Sequence, residues 1–346
     1  DWILRTTDFV LRHRGINPFN QEWKTFYGEK PVHYLLDLPN GNPHPDKLAI
    51  VFSAVNPIGD FTYNYRASFT NFKGAVLYVL DDFGDQGAYY LSSGRSLAEF
   101  RSVQGLLKSV MAELEISPNA VSAFGSSKGG AAALLHGVTL GVSNVFAGAP
   151  QYLIGNFLKD PHPNILEYIS GGISEGDIHW ANKISLDLLS SGVRSTQLHI
   201  VVGLKDSHCK NHAIPLVDDT RNLGYETKFL TIPGVPHSEF GSAFREFIRT
   251  WVEANNSGGK FSLPHTSGFD AAKQSFGVCL ALPDGAVARG QLFHGAERLG
   301  APKTFTGNSV SWEISEPGPY RVRIYVDLPG VEERKAFGTG MRQPQW

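Results

Sequence analysis

Apolar residues in this chain fall into short, near-continuous blocks, separated by longer stretches with helical spacing. From about residue 32 to 255 the blocks are Val32–Leu38, Leu48–Ala54, Ala75–Asp81, Ala120–Phe124, Asn144–Gly148, Leu198–Gly203 and Thr227–Ile232. They have strand length and little apolar–polar alternation, which is how strands buried on both faces of a parallel sheet read. Between them, Ser96–Leu114 sets Leu97, Phe100, Val103, Leu106, Leu107, Val110 and Leu114 at helical spacing, with Ser96 placed to cap it. Lys128–Leu140 is small and Ala-rich, as a helix packed hard on a sheet should be, and Ala213–Leu223 and Ser238–Ala254 follow. Alternation of this kind implies right-handed βαβ units. The fold class expected is therefore α/β, a doubly wound, mostly parallel sheet.

Three segments depart from that rhythm. Residues 149–195 insert short helices (around Tyr152–Leu158, Asn164–Ile169 and His179–Leu189) between two strands, a length that suits a functional cap better than a simple connector. After Ala254 the run Asn255-Asn-Ser-Gly-Gly259 reads as a linker. Beyond it, Ser275–Leu282, Ala288–Phe293, Val310–Ile314 and Tyr320–Val326 are separated by Pro-Asp-Gly, Gly-Asn-Ser and Glu-Pro-Gly-Pro turn signals. That pattern predicts a small antiparallel β-sandwich over 260–346. Residues 1–31 carry Trp2, Phe9, Phe19, Trp23 and Phe26, as a packed N-terminal extension would. The main domain is expected over 32–255.

Composition narrows the function classes. A chain of 346 residues suits one large domain with a small appendage. The net charge is −2 and no Lys/Arg run stands out, so the electrostatic footprint of nucleic-acid binding is missing. The most apolar stretches fall well short of the roughly 20 residues a membrane helix needs. Cys209 and Cys279 are the two cysteines and lie far apart, so no disulfide framework is expected and a reducing, cytoplasmic location is favoured. The chain begins at Asp1 without Met, as a trimmed N-terminus would.

The most informative stretch is Gly125-Ser126-Ser127-Lys128-Gly129, a G-x-S-x-G pentapeptide between an apolar strand and an Ala/Leu helix. The pentapeptide alone recurs by chance, and its context gives it meaning. On a tight strand-to-helix turn, glycines two residues either side avoid steric conflict and lift the Ser127 hydroxyl above the sheet edge. The first amides of the helix then point at the reacting centre. A glycine-rich phosphate-binding loop is the bland alternative. Neither the G-x-G-x-x-G nor the G-x-x-x-x-G-K-[ST] spacing is met. Ser126 occupies the x position.

A serine needs a base, and the base an orienting carboxylate, expected in the order acid then histidine, each just beyond a later strand. Leu198-His-Ile-Val-Val-Gly-Leu-Lys-Asp206 supplies the acid and Lys228-Phe-Leu-Thr-Ile-Pro-Gly-Val-Pro-His237 the base. Asp206 also reads as a surface or helix-capping aspartate, with Asp218 and Asp219 as fallback acids on the following helix. The string His208-Cys209-x-x-His212 admits a metal reading, but no second cluster supplies further ligands at zinc spacing. No metal or cofactor is therefore called for, and His208 is placed at the rim of the substrate site. Oxyanion donors are expected from the amide of Lys128 and from Ala54 or Val55; the His-Gly-Gly-Gly loop of many lipases is absent. Asp82, Tyr89 and Tyr90 follow a strand at the same sheet edge, where they line a pocket or are ordinary core residues. The Lys128 side chain meets an anionic or sugar substrate, or points to solvent.

Over residues 32–255 the chain resembles the α/β-hydrolase superfamily, on the strength of Gly125-Ser126-Ser127-Lys128-Gly129, Asp206 and His237. The Ser-Ser-Lys-Gly-Gly elbow and the Asp-Phe-Gly…Tyr-Tyr loop also look like a bacterial subgroup linked to surface glycans. That subgroup includes capsule-locus hydrolase-like proteins and an accessory-secretion protein associated with O-acetylation of sugars. The resemblance implies a serine esterase acting on a small-molecule or carbohydrate ester. An O-acyltransferase with the same triad and a non-catalytic glycan or protein adaptor are the alternatives.

Overall fold

The computed structural model describes residues 23–39, 44–256 and 262–343. Trp2, Phe9 and Phe19 of the expected N-terminal extension, and most of the expected linker, lie outside the described residues. The chain divides into two compact units. One comprises Asp1–Arg66, Lys73–Leu198 and Asn211–Thr227; the other comprises Ala67–Phe72, His199–Lys210 and Lys228–Trp346.

The first unit holds strands Trp23–Tyr27 (β1), Pro31–Asp37 (β2), Leu48–Phe52 (β3), Ala75–Val79 (β4), Val121–Ser126 (β5) and Asn144–Gly148 (β6). Their order is β1-β2-β4-β3-β5-β6. Strands β4, β3, β5 and β6 pair in parallel, and every residue of β3, β4 and β5 is buried, which is why they read as unbroken apolar runs. Strand β2 differs from the expectation, because it runs antiparallel to β4 and forms a hairpin with β1. The Gly28-Glu29-Lys30 turn permits this reversal, and the partial exposure of β1 and β2 fits an edge position.

Helices Ala98–Glu113 (α1) and Lys128–Leu140 (α2) follow β4 and β5. Leu97, not Ser96, occupies the cap position of α1 and makes no side-chain cap; the Ser96 amide instead closes a turn onto the Ser93 carbonyl. The segment after β6 contains Ile154–Leu158 (α3), Pro163–Ser170 (α4) and Glu175–Ser191 (α5). Helix α5 starts earlier than its apolar pattern suggests, because Ser174 and Asp177 form a reciprocal capping box. Ile214–Asn222 (α6) completes this unit.

In the second unit, Gln197–Gly203 (β7, whose first two residues belong to the first unit) neighbours Thr227–Ile232 (β8), with the Leu204 amide on the Ile232 carbonyl at 2.9 Å. Helix His237–Asn255 (α7) follows β8 and buries Phe240, Phe244, Phe247, Ile248 and Trp251 on one face. Two antiparallel sheets come next. His265–Asp270 (β9), Ser275–Leu280 (β10) and Ser309–Glu313 (β13) form one, in the order β13-β10-β9. Val287–His294 (β11), Glu297–Thr304 (β12), Tyr320–Asp327 (β14) and Lys335–Gly338 (β15) form the other, in the order β12-β11-β14-β15. They share a core of Phe276, Val278, Leu280, Leu292, Trp312, Val322, Ile324 and Val326.

This β-structure is fused to α7 rather than hung from it. Thr250 Oγ1 donates to the His265 carbonyl and accepts from the His265 amide, both at 2.9 Å. The buried Glu246 carboxylate takes the Thr266 hydroxyl, the Ser267 amide and the Arg342 guanidinium. No helix among the described residues is long and apolar enough to cross a membrane.

Candidate active site

Ser127 stands between the end of β5 and the start of α2 with φ 54° and ψ −119°. A positive φ is uncommon for a residue with a side chain and persists where the surroundings over-determine it. The surroundings here are backbone. A Cβ on Gly125 would run into the carbonyl of Gly129, and one on Gly129 into the carbonyl of Phe52. The Ser127 amide donates to the Gly148 carbonyl at 2.8 Å, and its carbonyl accepts from Gly130 and Ala131. The turn is therefore locked by both neighbouring strands, and it projects the hydroxyl at the head of α2.

The Ser127 hydroxyl accepts a 2.6 Å hydrogen bond from Gln151 Nε2. Gln151 is held in turn by the Tyr89 hydroxyl, which donates to its Oε1. Burial pushes the Tyr89 phenol well above its ordinary range, so it remains a neutral donor. Ser126 pairs with the hydroxyl of Tyr65 at 2.6 Å. Beneath the elbow Lys128 Nζ meets Asp81 Oδ2 at 2.7 Å, and both side chains are almost wholly buried. The other Asp81 contacts run to the amides of Ala88 and Tyr90, so one carboxylate ties the loop after β4 to the residue next to the serine.

The second unit carries a hydrogen-bonded aspartate–histidine pair. Asp206 follows β7, and its Oδ2 lies 2.7 Å from Nδ1 of His237, the first residue of α7. Its Oδ1 takes both the amide (2.8 Å) and Nδ1 (3.0 Å) of His208. The two imidazoles stack with ring centres 4.1 Å apart and planes nearly parallel. Burial alone would raise the Asp206 carboxyl, but the hydrogen bonds from His208 and His237 outweigh it and hold the group well below the usual carboxylate range. An aspartate fixed as the anion accepts Nδ1–H of His237 and leaves Nε2 to take a proton. Lys205, beside Asp206, is anchored by Asp270 of β9 at 2.6 Å, so the β-structure holds the acid loop. Ligand atoms of Asp206, His208 and His237 lie within 4.8 Å of one another, close enough for one cation.

No family model matches the sequence, and no curated protein matches it. Solved structures do. The capsule O-acetyltransferase of Neisseria meningitidis serogroup A superposes with a TM-score of 0.56 at 24% identity, covering 64% of this chain and 90% of that one. A glycosylation-associated protein complex of Streptococcus agalactiae gives 0.57 at 14% identity, over 69% of this chain and 48% of that one. An acylaminoacyl peptidase of Pyrococcus horikoshii gives 0.51 at 15% identity, over 71% and 42%. The chain has an α/β-hydrolase fold.

Within this α/β-hydrolase fold several expected site residues take other places. Tyr90 is fully buried, with its hydroxyl on the Val79 carbonyl and its ring against Phe52, so it does not line an open pocket. Asp82 is also buried and bonds His33 Nδ1 at 2.6 Å. Tyr89 is buried too, one contact removed from the serine. The Lys128 side chain reaches neither solvent nor a substrate, because Asp81 holds it inside. The Ala54 amide is not available as an oxyanion donor, since it donates to Asn64 Oδ1 at 2.7 Å; Val55 and the Lys128 amide stay as candidates. His208 is no rim residue but part of the aspartate–imidazole stack, and His212 accepts from the Leu153 amide instead of joining a cluster with Cys209. Asp218 and Asp219 lie on α6, where Asp219 receives the Tyr152 hydroxyl. Sequence reading missed Gln151, Tyr65 and Asp81. Gln151 and Asp81 each follow a strand by two or three residues, and that shared position is the signal that could have found them.

Proposed function

We propose that the chain is a serine-dependent acyl-transferring enzyme, with Ser127 as nucleophile, His237 as general base and Asp206 as its orienting anion. The observation that carries this reading is the forced positive-φ turn at Ser127 at the head of α2. The Asp206–His237 pair supports it, since a nucleophile of this kind requires such a base. In the first half-reaction Ser127 Oγ bonds to an ester carbonyl carbon as His237 Nε2 takes its proton. The oxyanion is received by the amides of Lys128 and Val55. The tetrahedral adduct then collapses, the ester C–O bond breaks, and the imidazolium returns the proton to the departing alcohol. Water, activated by the same imidazole, hydrolyses the acyl-serine in the second half-reaction. We assign this chemistry to residues 32–255, with 149–195 as a cap over the substrate and 260–346 as an appended domain. An ester on an acylated carbohydrate is the proposed substrate, and the cytoplasm the proposed location.

A second reading has one specific support. The capsule O-acetyltransferase resembles this chain at 24% identity, and a variant of it was solved in complex with CoA. On this reading a sugar hydroxyl, not water, accepts the acyl group. The two share the first half-reaction, so one experiment tests the common part. A fluorophosphonate probe should label the wild type and leave Ser127→Ala unlabelled; failure to label either protein would favour the adaptor reading. Release of p-nitrophenol from its acetyl ester, with and without acceptor sugars, then separates hydrolysis from transfer.

A further inference from the structure

One face of the four-stranded sheet β12-β11-β14-β15 has a composition the catalytic reading leaves unused. Strand β11 sends Arg289, Gln291 and Phe293 to it, and β14 sends Arg321, Arg323 and Tyr325. The register sets Arg289 opposite Tyr325, Gln291 opposite Arg323 and Phe293 opposite Arg321, so these side chains are direct cross-strand neighbours. The Arg321 guanidinium lies 4.8 Å over the Phe293 ring, and that of Arg323 lies 5.7 Å over Tyr325. On the other side Arg298 of β12 sits opposite Phe293. A cavity of about 410 Å³ opens on this face, lined by Arg289, Arg298, Arg334, Gln291, Phe293 and Tyr325, with no carboxylate in its lining.

The pocket is built as well as charged. Gln291 is 2% exposed, and its Nε2 is fixed to the carbonyls of Leu292 and Leu299. Its Oε1 therefore faces Arg298 and accepts from Arg298 Nε at 2.8 Å, which orients the guanidinium by its stem side and leaves the terminal nitrogens forward. Asp327 pairs bidentately with Arg334 at the rim and also feels the charge of Arg289, so one carboxylate faces the three arginines of the lining. Three arginines against one carboxylate leave the concave site with an excess of positive charge, and an oxyanion entering it relieves the repulsion among them. Planar guanidinium forks match carboxylate and phosphate oxygens in pairs.

We propose that this face is a binding site for an acidic saccharide, whose carboxylate or phosphate oxygens are taken by Arg289 and Arg298 in the cavity, with the stacked Arg321 and Arg323 on the same face of the sheet. Single-stranded nucleic acid is disfavoured, because it binds on open aromatic platforms and both rings here already carry a guanidinium. Occupancy of this face does not depend on the acyl-transfer reading.

Fluorescence polarisation on the full chain tests it, using labelled oligogalacturonate as the carboxylate probe, labelled phosphomannan as the phosphate probe, and neutral dextran and oligo(dT) as controls. At least one acidic saccharide should bind, more weakly as salt rises, while dextran does not. Arg289→Gln and Arg298→Gln should each weaken binding about tenfold, as loss of a charge-assisted contact does. Arg289→Gln should leave the unfolding midpoint unchanged, Arg298→Gln should lower it because the buried Gln291 Oε1 loses its donor, and neither should change fluorophosphonate labelling. The stronger of the two acidic probes identifies the charge carried by the ligand. Absence of saccharide binding at millimolar concentration, variants that bind like wild type, or oligo(dT) binding tighter than both saccharides would each overturn the proposal.

Discussion

The strain at Ser127 gives a stability experiment whose sign is set by backbone geometry. Ser127→Ala and Ser127→Gly both delete the hydroxyl and its contact with Gln151, so their difference isolates the cost of a Cβ at φ 54°. Holding a residue with a side chain in such a conformation costs about 1–3 kcal/mol, and glycine is free of that cost. Against this, glycine gains entropy in the unfolded chain worth about 0.5–1 kcal/mol. Burial of the alanine methyl adds little, because residue 127 is only partly buried. The balance leaves Ser127→Gly more stable than Ser127→Ala, by about 1 kcal/mol at the middle of these ranges and up to about 2.5 kcal/mol. Urea unfolding of the two variants, followed by tryptophan fluorescence, reads this as a higher midpoint for glycine at an unchanged slope. A midpoint for Ser127→Gly equal to or below that of Ser127→Ala would refute the claim that the turn is strained.

Three further outcomes are expected. Lys128→Met removes one partner of a buried ion pair and leaves Asp81 charged in the interior, so it should cost about 3–5 kcal/mol; adding Asp81→Asn should recover part of that loss in a double-mutant cycle. Burial holds the imidazoles of His136 and His199 down to about 3, the charge of Lys228 adding to the effect at His199, whereas the unfolded chain titrates near 6.5. The unfolded state thus binds more protons below that value, so stability is full at pH 7 and falls as pH drops from 6.5 toward 3, by about 2 kcal/mol per imidazole at pH 5; urea midpoints that match at pH 7 and pH 5 would refute it. His208→Phe keeps a flat ring against His237 but removes a hydrogen bond to Asp206, so labelling of Ser127 should survive with a slower rate, whereas Asp206→Asn should lower that rate by orders of magnitude.

The parallel centre of the sheet was legible because its strands are buried on both faces and carry no alternation to confuse the reading; Asn144–Gly148 and Thr227–Ile232 appear in the structure at the bounds their apolar runs predicted. The hairpin of β1 and β2 was not, since an edge pair mixes exposed and buried positions and its direction depends on a turn rather than on hydrophobicity. Strand β12 escaped for a sharper reason. It is exposed along nearly its whole length, so Glu297–Thr304 carries no apolar signal, and its pairing to β11 is made by the backbone.

The candidate site divides in the same way. Ser127 was legible because its requirement is local: glycines at 125 and 129 are there to keep a Cβ off two carbonyls, and that constraint is written within five residues. Asp206 and His237 were expected together because each comes shortly after a strand, and the structure sets His237 Nδ1 2.7 Å from Asp206 Oδ2. Gln151 and Asp81 share that position after a strand, but no nucleophile–base pattern calls for a glutamine or a second aspartate there, and their partners at the elbow are supplied by the folded topology. The misreading of Lys128 follows from the same limit. A lysine beside a nucleophile reads as a solvent-facing or substrate-facing charge unless its partner is known, and Asp81 lies 47 residues earlier in the chain. Once that partner is in place the lysine has a different use. Asp81 draws in the amides of Ala88 and Tyr90 while it holds Lys128, so the loop that presents Tyr89 to Gln151, and through it to Ser127, is fixed by the residue adjoining that serine. The elbow therefore aligns its own serine through a closed circuit of buried contacts, and for that circuit the charge on Lys128 matters through burial and not through any substrate.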